Sequence, residues 1–193
     1  ISGGIYKLRA AYSQENVLLI IEKGWTVEQT AYRGLVQYAS DDTGLNFTLI
    51  QDDETEGAVD NNSHPDIVVD QATGAFVVVW EQQLNNFIRR SRIASPFTPF
   101  TQGDVAIVTS GVAPDCISAY GDSDGALYIT YDTTDGIDLF TSRDGFNTWA
   151  QVEEPFNWNS TNEEFRWDIT AAGGRACWLI GQTASSGSLP LTD

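Results

Sequence analysis

The sequence predicts an all-β chain built from repeated four-stranded antiparallel sheets, and three observations carry that prediction. Short β-branched and aliphatic runs such as Val17-Leu18-Leu19-Ile20-Ile21 and Val77-Val78-Val79 are bounded by turn residues, which favours buried strands over helices. A strand–turn–strand pattern recurs about every 50 residues, a spacing typical of repeat architectures. A turn sequence of Ser, Asp, Gly and an aromatic occurs twice, from Ser40 to Phe47 and from Ser142 to Trp149, with 102 residues between the two serines. That separation is two repeat lengths.

Taken in order, Tyr6 to Ala11 reads as a short strand, Ser13 to Asn16 as a turn and Val17 to Glu22 as a buried strand. Ala31 to Ala39 is a third strand that runs into the first Ser-Asp turn, and Phe47 to Ile50 leaves it. In such a turn Asp and Ser hydrogen-bond nearby backbone, Gly permits φ > 0, and the aromatic just past it is placed to anchor the hairpin in a core. Gln51 to Asn62 is an acidic loop with Asp52, Asp53, Glu54, Glu56 and Asp60. Carboxylates at that density can hold Ca²⁺, but the oxygen-ligand spacing of an EF-hand is absent, so a solvated loop is the expectation. Asp122-Ser123-Asp124-Gly125 gets the same reading, because a tight Asp-Gly turn explains it equally well.

The repeat aligns Pro65-Asp66 to Asp70 and Ala75 to Glu81 with Pro114-Asp115 to Ala119 and Ala126 to Asp132. A third version runs from Trp167-Asp168 to Ala172 and from Arg175 to Gln182. A fourth, weaker one is Lys7 to Ala11 followed by Val17 to Glu22, which puts Glu22 in the place of Glu81. A degenerate middle turn falls at Ser91 to Thr98, where Ile93 replaces the Asp and prolines intrude. The units cover about 5–50, 63–103, 112–155 and 165–183, the last without its third and fourth strands. Such units are the signature of β-propeller blades, either about four in a small ring or part of a larger six- or seven-bladed one.

Composition removes several function classes. The net charge is −17, with ten Lys and Arg of which two are Lys, so too few cations exist to neutralise nucleic-acid phosphates or anionic lipid. No run approaches the ~18 apolar residues of a membrane span, so membrane insertion is not expected. The chain begins with Ile and contains no Met, which suggests a processed, excised or partly recorded chain. Cys116 and Cys177 are too few for a disulfide framework or a structural zinc site; two free thiols or one disulfide remain the alternatives.

The turn sequence resembles the Asp-box, or BNR repeat, of the sialidase-like β-propeller superfamily, whose pattern is Ser/Thr-x-Asp-x-Gly-x-Thr-Trp/Phe. Ser40, Asp42, Gly44 and Phe47 fit it with Asn46 in the Thr place, and Ser142, Asp144, Thr148 and Trp149 fit it with Gly145 one position early. The resemblance implies a structural turn between the third and fourth strands of a blade, on the rim and away from the ligand face. Asp42 and Asp144 are therefore expected to be fold residues. Fold of this kind does not by itself settle function.

Ligands of propellers bind at one mouth of the central channel, near the starts of the innermost strands. Those positions are Lys7 and Arg9, His64 and Asp66, Asp115, and Arg166 and Asp168. Asp66, Asp115 and Asp168 form either an acidic ring for sugar hydroxyls or a cation, or strand-entry caps that bond their own backbone. A sialidase would need an arginine triad, a Tyr–Glu nucleophile pair and an acid/base Asp. Phe165-Arg166 matches only the start of the Phe-Arg-Ile-Pro motif of that family, and Trp167-Asp168 breaks it. No catalytic set, metal site or obligatory cofactor is therefore expected. The chain reads as a non-catalytic binding or structural module that presents loops to glycans, partner proteins or other subunits at a cell or virion surface. A sialidase-like exo-glycosidase is the alternative.

Overall fold

The computed structural model describes residues 3–27, 30–52, 62–82, 87–100, 104–108, 117–132, 136–144, 148–157, 164–172 and 175–183. Among them are fourteen strands. The first sheet is β1 (Gly3–Ser13), β2 (Asn16–Val27), β3 (Thr30–Ser40) and β4 (Thr48–Asp52). The second is β5 (Asn62–Val69), β6 (Phe76–Gln82), β7 (Phe87–Ile93) and β8 (Asp104–Val108). The third is β9 (Ile117–Gly121), β10 (Leu127–Asp132), β11 (Gly136–Ser142) and β12 (Ala150–Asn157), and β13 (Glu164–Ala172) pairs with β14 (Arg175–Thr183).

Every pairing is between antiparallel chain neighbours, so each sheet is a meander. Contacts between sheets run from β1 to β5, from β5 to β9 and from β9 to β13. The first strand of each sheet thus lies beside the first strand of the next, which is the radial arrangement of a β-propeller with each sheet as a blade.

Two apolar layers hold three blades together. Leu18, Ile20 and Leu35 of the first blade meet Ile67, Phe76, Val78 and Trp80 of the second. Val77, Val79 and Ile88 meet Ile117, Leu127, Ile129 and Tyr131 of the third. Strand β6 therefore buries Phe76, Val78 and Trp80 on one face and Val77 and Val79 on the other, which explains its continuous apolar run. The Trp80 indole satisfies its N–H by donating to Asn62 Oδ1 at 3.2 Å and packs on Phe100 with ring centroids 5.4 Å apart.

Strand β2 continues to Val27, past the expected end at Glu22, because Lys23 to Val27 find partners on β3 from Gly34 back to Thr30. Glu22 is accordingly an interior strand residue.

The hairpins inside the blades close by the expected chemistry. Asp70 N donates to Ala75 O at 2.8 Å and Asp122 N to Ala126 O at 2.7 Å, with Gly74 and Gly125 at φ 74° and 84°. Burial opposes ionisation of Asp70, but hydrogen bonds from Thr73 and Arg92 prevail and hold its carboxyl below the usual range. Asp122 is one of these turn residues, and its Oδ1 also accepts the Ser123 N–H at 2.6 Å.

The two Ser-Asp turns share one hydrogen-bond plan. Ser40 Oγ donates to Asp42 Oδ1 at 2.6 Å, and that oxygen accepts from the N–H groups of Leu45 and Asn46 at 3.0 and 2.9 Å. Asn46 Nδ2 then donates to Asp42 Oδ2 at 2.6 Å, as Thr148 Oγ1 does to Asp144 Oδ2 at the same distance. Asn46 thus does the work of the Thr. Gly145 lies outside the described residues. Both turns join the third and fourth strands of a blade, and Ser40 faces Val17, which puts the first turn at the β1–β2 hairpin end. Phe47 departs from its expected core role: it is 43% exposed and lies over Gly44, whereas Trp149 packs against the second apolar layer.

The hydrogen bonds from Ser40 and Asn46 hold the Asp42 carboxyl down to about 2. A depressed carboxylate stabilises the fold above its unfolded pKa near 3.8 and loses that contribution as pH falls through about 2. The stability gap between wild type and Asp42→Ala, measured by urea unfolding, should shrink across that window. In the apolar layer, Ile20→Ala should cost ~2–5 kcal/mol. On the opposite face of the same sheet, where Leu8 is 51% exposed, Leu8→Ala should cost less than about 1 kcal/mol by the same assay.

Candidate functional site

The starts of β1 and β5 lie at the end of the blades opposite the first Ser-Asp turn, and both are irregular there. The β1–β2 register shifts between Ile5 and Lys7, and the β5–β6 register shifts between Ser63 and Asp66. Extra residues of this kind re-aim side chains at sheet ends. Tyr6 occupies the first irregularity and His64 the second. His64 has φ 50°, a left-handed conformation that a non-glycine residue adopts only when its surroundings hold it there.

Two buried glutamates hold it. Glu22 on β2 is 1% exposed and Glu81 on β6 is 0% exposed. Glu22 Oε2 accepts the His64 backbone N–H at 3.0 Å, and Glu22 Oε1 lies 3.0 Å from Arg33 Nη1. Glu81 Oε2 accepts from Ser63 Oγ at 2.7 Å and lies 2.9 Å from His64 Nδ1. An ionised carboxylate only accepts, so Nδ1–H is the donor towards Glu81, which leaves Nε2 for other partners. Glu81 Oε1 is buried without a hydrogen-bond partner.

Arg33 connects this network to Tyr6. Its guanidinium carbon lies 4.7 Å from the centroid of the Tyr6 ring. The ring itself lies on Gly24, where an added Cβ would come within 2.2 Å of Tyr6 Cε2. Tyr6 is still 63% exposed. Lys7 Nζ donates to Ile117 O at 3.2 Å, reaching from the first blade to the start of β9 in the third.

Asp66, expected at the mouth, is committed to the interior. Its Oδ1 accepts Ile67 N–H at 2.9 Å and lies 3.2 Å from Arg9 Nε, while Oδ2 accepts Ala119 N–H at 2.8 Å. Burial pushes its pKa up, against the opposing pull of the Ala119 N–H, Arg9, Lys7 and the Ile67 N–H. The expected cap on its own strand exists, and the carboxylate also ties β1 and β9 to β5. Asp115 and Cys116 lie outside the described residues; Arg166 and Asp168 lie on β13 and Cys177 on β14, with side chains outside them. The expected acidic ring of Asp66, Asp115 and Asp168 thus rests on two residues whose side chains lie outside the described ones. His64 lies at the start of β5, in a network with Glu22, Glu81 and Arg33, and Arg33 lies over Tyr6. The one sequence signal for the glutamates was a charge at the same place in two apolar strands. Among the described residues, no three His, Cys, Asp or Glu side chains are grouped as a metal site.

No protein-family model matches this sequence, and no curated protein matches it either. Solved structures do resemble the fold. An endo-arabinase from Bacteroides thetaiotaomicron VPI-5482 superposes with a TM-score of 0.59 at 17% identity, over 94% of this chain and 70% of that one. An alpha-L-arabinofuranosidase from Podospora anserina, in complex with cellotriose, gives 0.57 at 9% identity over 93% of this chain and 64% of that one. An alpha-L-arabinanase from Penicillium chrysogenum, complexed with arabinobiose, gives 0.55 at 12% identity over 93% and 58%. Against the last two, the chain spans less than two thirds of the other protein's length. These neighbours are β-propeller glycoside hydrolases, and at such identities the likeness establishes the fold.

If Glu22 is what holds His64 and Arg33, Glu22→Ala should cost about 1–3 kcal/mol in urea unfolding, because the buried His64 N–H loses its acceptor. Glu22→Gln, which keeps an acceptor oxygen, should retain most of the stability.

Proposed function

We propose that this chain is a glycan-binding β-propeller module whose ligand sits at the channel mouth formed by the starts of β1 and β5. The observation that carries the reading is the His64 network: two buried glutamates from neighbouring blades spend their hydrogen bonds on holding one strained, partly exposed histidine at the mouth. Strain maintained by buried groups at an opening is characteristic of binding and catalytic sites. The fold neighbours named above, an endo-arabinase, an alpha-L-arabinofuranosidase with bound cellotriose and an alpha-L-arabinanase with bound arabinobiose, support a carbohydrate ligand.

The reading is non-catalytic because glycoside hydrolysis needs a pair of carboxyl groups flanking the scissile bond. Glu22, Glu81 and Asp66 are buried, including Glu81 Oε1, which has no hydrogen-bond partner, so none of the three is presented to a sugar. The alternative, a sialidase-like exo-glycosidase, asks for an arginine clamp on a substrate carboxylate. Arg9 and Arg33 instead face Asp66 and Glu22. We read the turns at Asp42 and Asp144 as Asp-boxes, on their shared hydrogen bonds and spacing, and place the module outside a cell, where glycans are displayed.

An oligosaccharide array should show binding, and a panel of fluorogenic glycosides that includes a sialoside should show no turnover. His64→Ala should weaken binding by about tenfold. Turnover of any glycoside would reverse the non-catalytic reading, and an array with no bound glycan would remove the glycan reading.

A further inference from the structure

Tyr6 is set as an open aromatic platform. An exposed tyrosine on a sheet normally meets a β-carbon on the neighbouring strand, which keeps its ring off the backbone. Here that position is Gly24, and a Cβ there would approach three ring atoms within 2.2 to 3.2 Å. The ring edge at Cε2 therefore fits against Gly24, the Arg33 guanidinium lies over one ring face, and the residue keeps 63% of its surface open. The irregularity between Ile5 and Lys7 is what turns Tyr6 towards Gly24, and Arg33 sits directly across from Gly24 on β3. Glu22 fixes Arg33 in turn and accepts the His64 backbone N–H. The ring is thus pre-oriented by Gly24 at its edge and by a cation–π contact whose guanidinium is anchored to Glu22, which lowers the ordering cost of a ligand that stacks on its open face.

Charge at the mouth indicates which ligand that is. Among the described residues, Lys7, Arg9 and Arg33 are matched in number by Glu22, Asp66 and Glu81, and the direct pairs Arg9–Asp66 and Arg33–Glu22 are formed. Among these groups an anionic sugar would find no excess of positive charge, within a chain of net charge −17. A neutral sugar ring suits the same surroundings, because its C–H face stacks on an aromatic and its hydroxyls both donate and accept. Resting on the reading of this mouth as a glycan site, we infer that Tyr6, with its edge against Gly24 and one face under Arg33, offers its other face as the stacking subsite for a neutral sugar, with His64 on the neighbouring strand β5 as hydrogen-bonding partner.

Isothermal titration of the whole chain tests this with neutral oligosaccharides (cellotriose, xylotriose, arabinobiose) and acidic ones (sialyllactose, trigalacturonate). The neutral set should bind and the acidic set should bind at least about tenfold more weakly. Tyr6→Ala should lose about tenfold or more on the neutral ligand, and Tyr6→Phe should stay within about twofold of wild type. Gly24→Val should lose binding through displacement of the ring, with thermal melting checking the fold; if that variant unfolds, the exposed-site Tyr6 pair still decides. Unchanged affinity in Tyr6→Ala overturns the platform while leaving the glycan reading in place. Tighter binding of an acidic oligosaccharide overturns the neutral class. Wild type that binds neither set overturns the glycan reading and this inference with it.

Discussion

The Asp66 carboxylate is the constraint on which the described blades depend. Removing a carboxylate from water is costly unless its lone pairs are met, and here they are met from three strands at once: Ile67 N–H on β5, Ala119 N–H on β9 and Arg9 on β1. Each partner belongs to the innermost strand of a different blade. Satisfying one buried charge therefore fixes how far β1, β5 and β9 slide relative to one another. The strands also need to be close, and Gly121 allows it: a Cβ there would lie 2.8 Å from Val69 O on β5. Where the inner strands crowd, the interface is made of backbone, glycine and hydrogen bonds; further out, where the sheets diverge, large apolar side chains such as Trp80, Phe76 and Ile129 fill the widening gap.

Much of this was legible in the sequence because it depends on local patterns. The apolar run from Val77 to Trp80 reads as a strand, and its burial on both faces follows from blades stacked on either side. The equivalence of Glu22 and Glu81 was visible from the alignment of two strands, and the turns at Asp42 and Asp144 from their own residues. What stayed hidden depends on pairing between distant segments. The register shifts at Tyr6 and His64 are relations between two strands, so Gly24 and Pro65 beside them are legible in the sequence without showing which side chains the shifts re-aim. Gln37 is another such case. Its side chain donates to Pro96 O and Thr98 O and accepts from Phe100 N, so the degenerate middle turn is held by the preceding blade in place of its own missing Asp. Phe47 shows the converse: its local sequence favours an anchor, but burial needs a neighbouring surface to pack on.

The two ends of the blades solve opposite problems. At the hairpin and Ser-Asp turn end, each polar group finds its partner within a few residues, as Asp42 does from Ser40 to Asn46, and Ser13 closes the gap to Gly74 of the next blade with one hydrogen bond. Such turns are rigid and self-contained, and they leave nothing to offer a ligand. At the mouth end the partners are long-range. Glu22 of the first blade serves the backbone of His64 in the second, while Glu81 serves Ser63 and the His64 ring within its own blade.

That division of labour follows from the repeat itself. Equivalent glutamates in successive blades occupy the same strand position, and the His64 segment at the start of β5 meets both of them. A single residue, His64, can then be gripped at its backbone by one and at its ring by the other, which is what keeps a left-handed histidine in place. Neither glutamate has an exposed oxygen left for chemistry, and their burial is the reason. Their negative charge is offset locally by Arg33 and by the cations reaching in from β1, so the described groups there are electrically balanced within an acidic chain. A mouth that is polar, aromatic and charge-balanced discriminates by shape and hydrogen bonding in place of electrostatic attraction, and for a partner rich in hydroxyls that is the more selective arrangement.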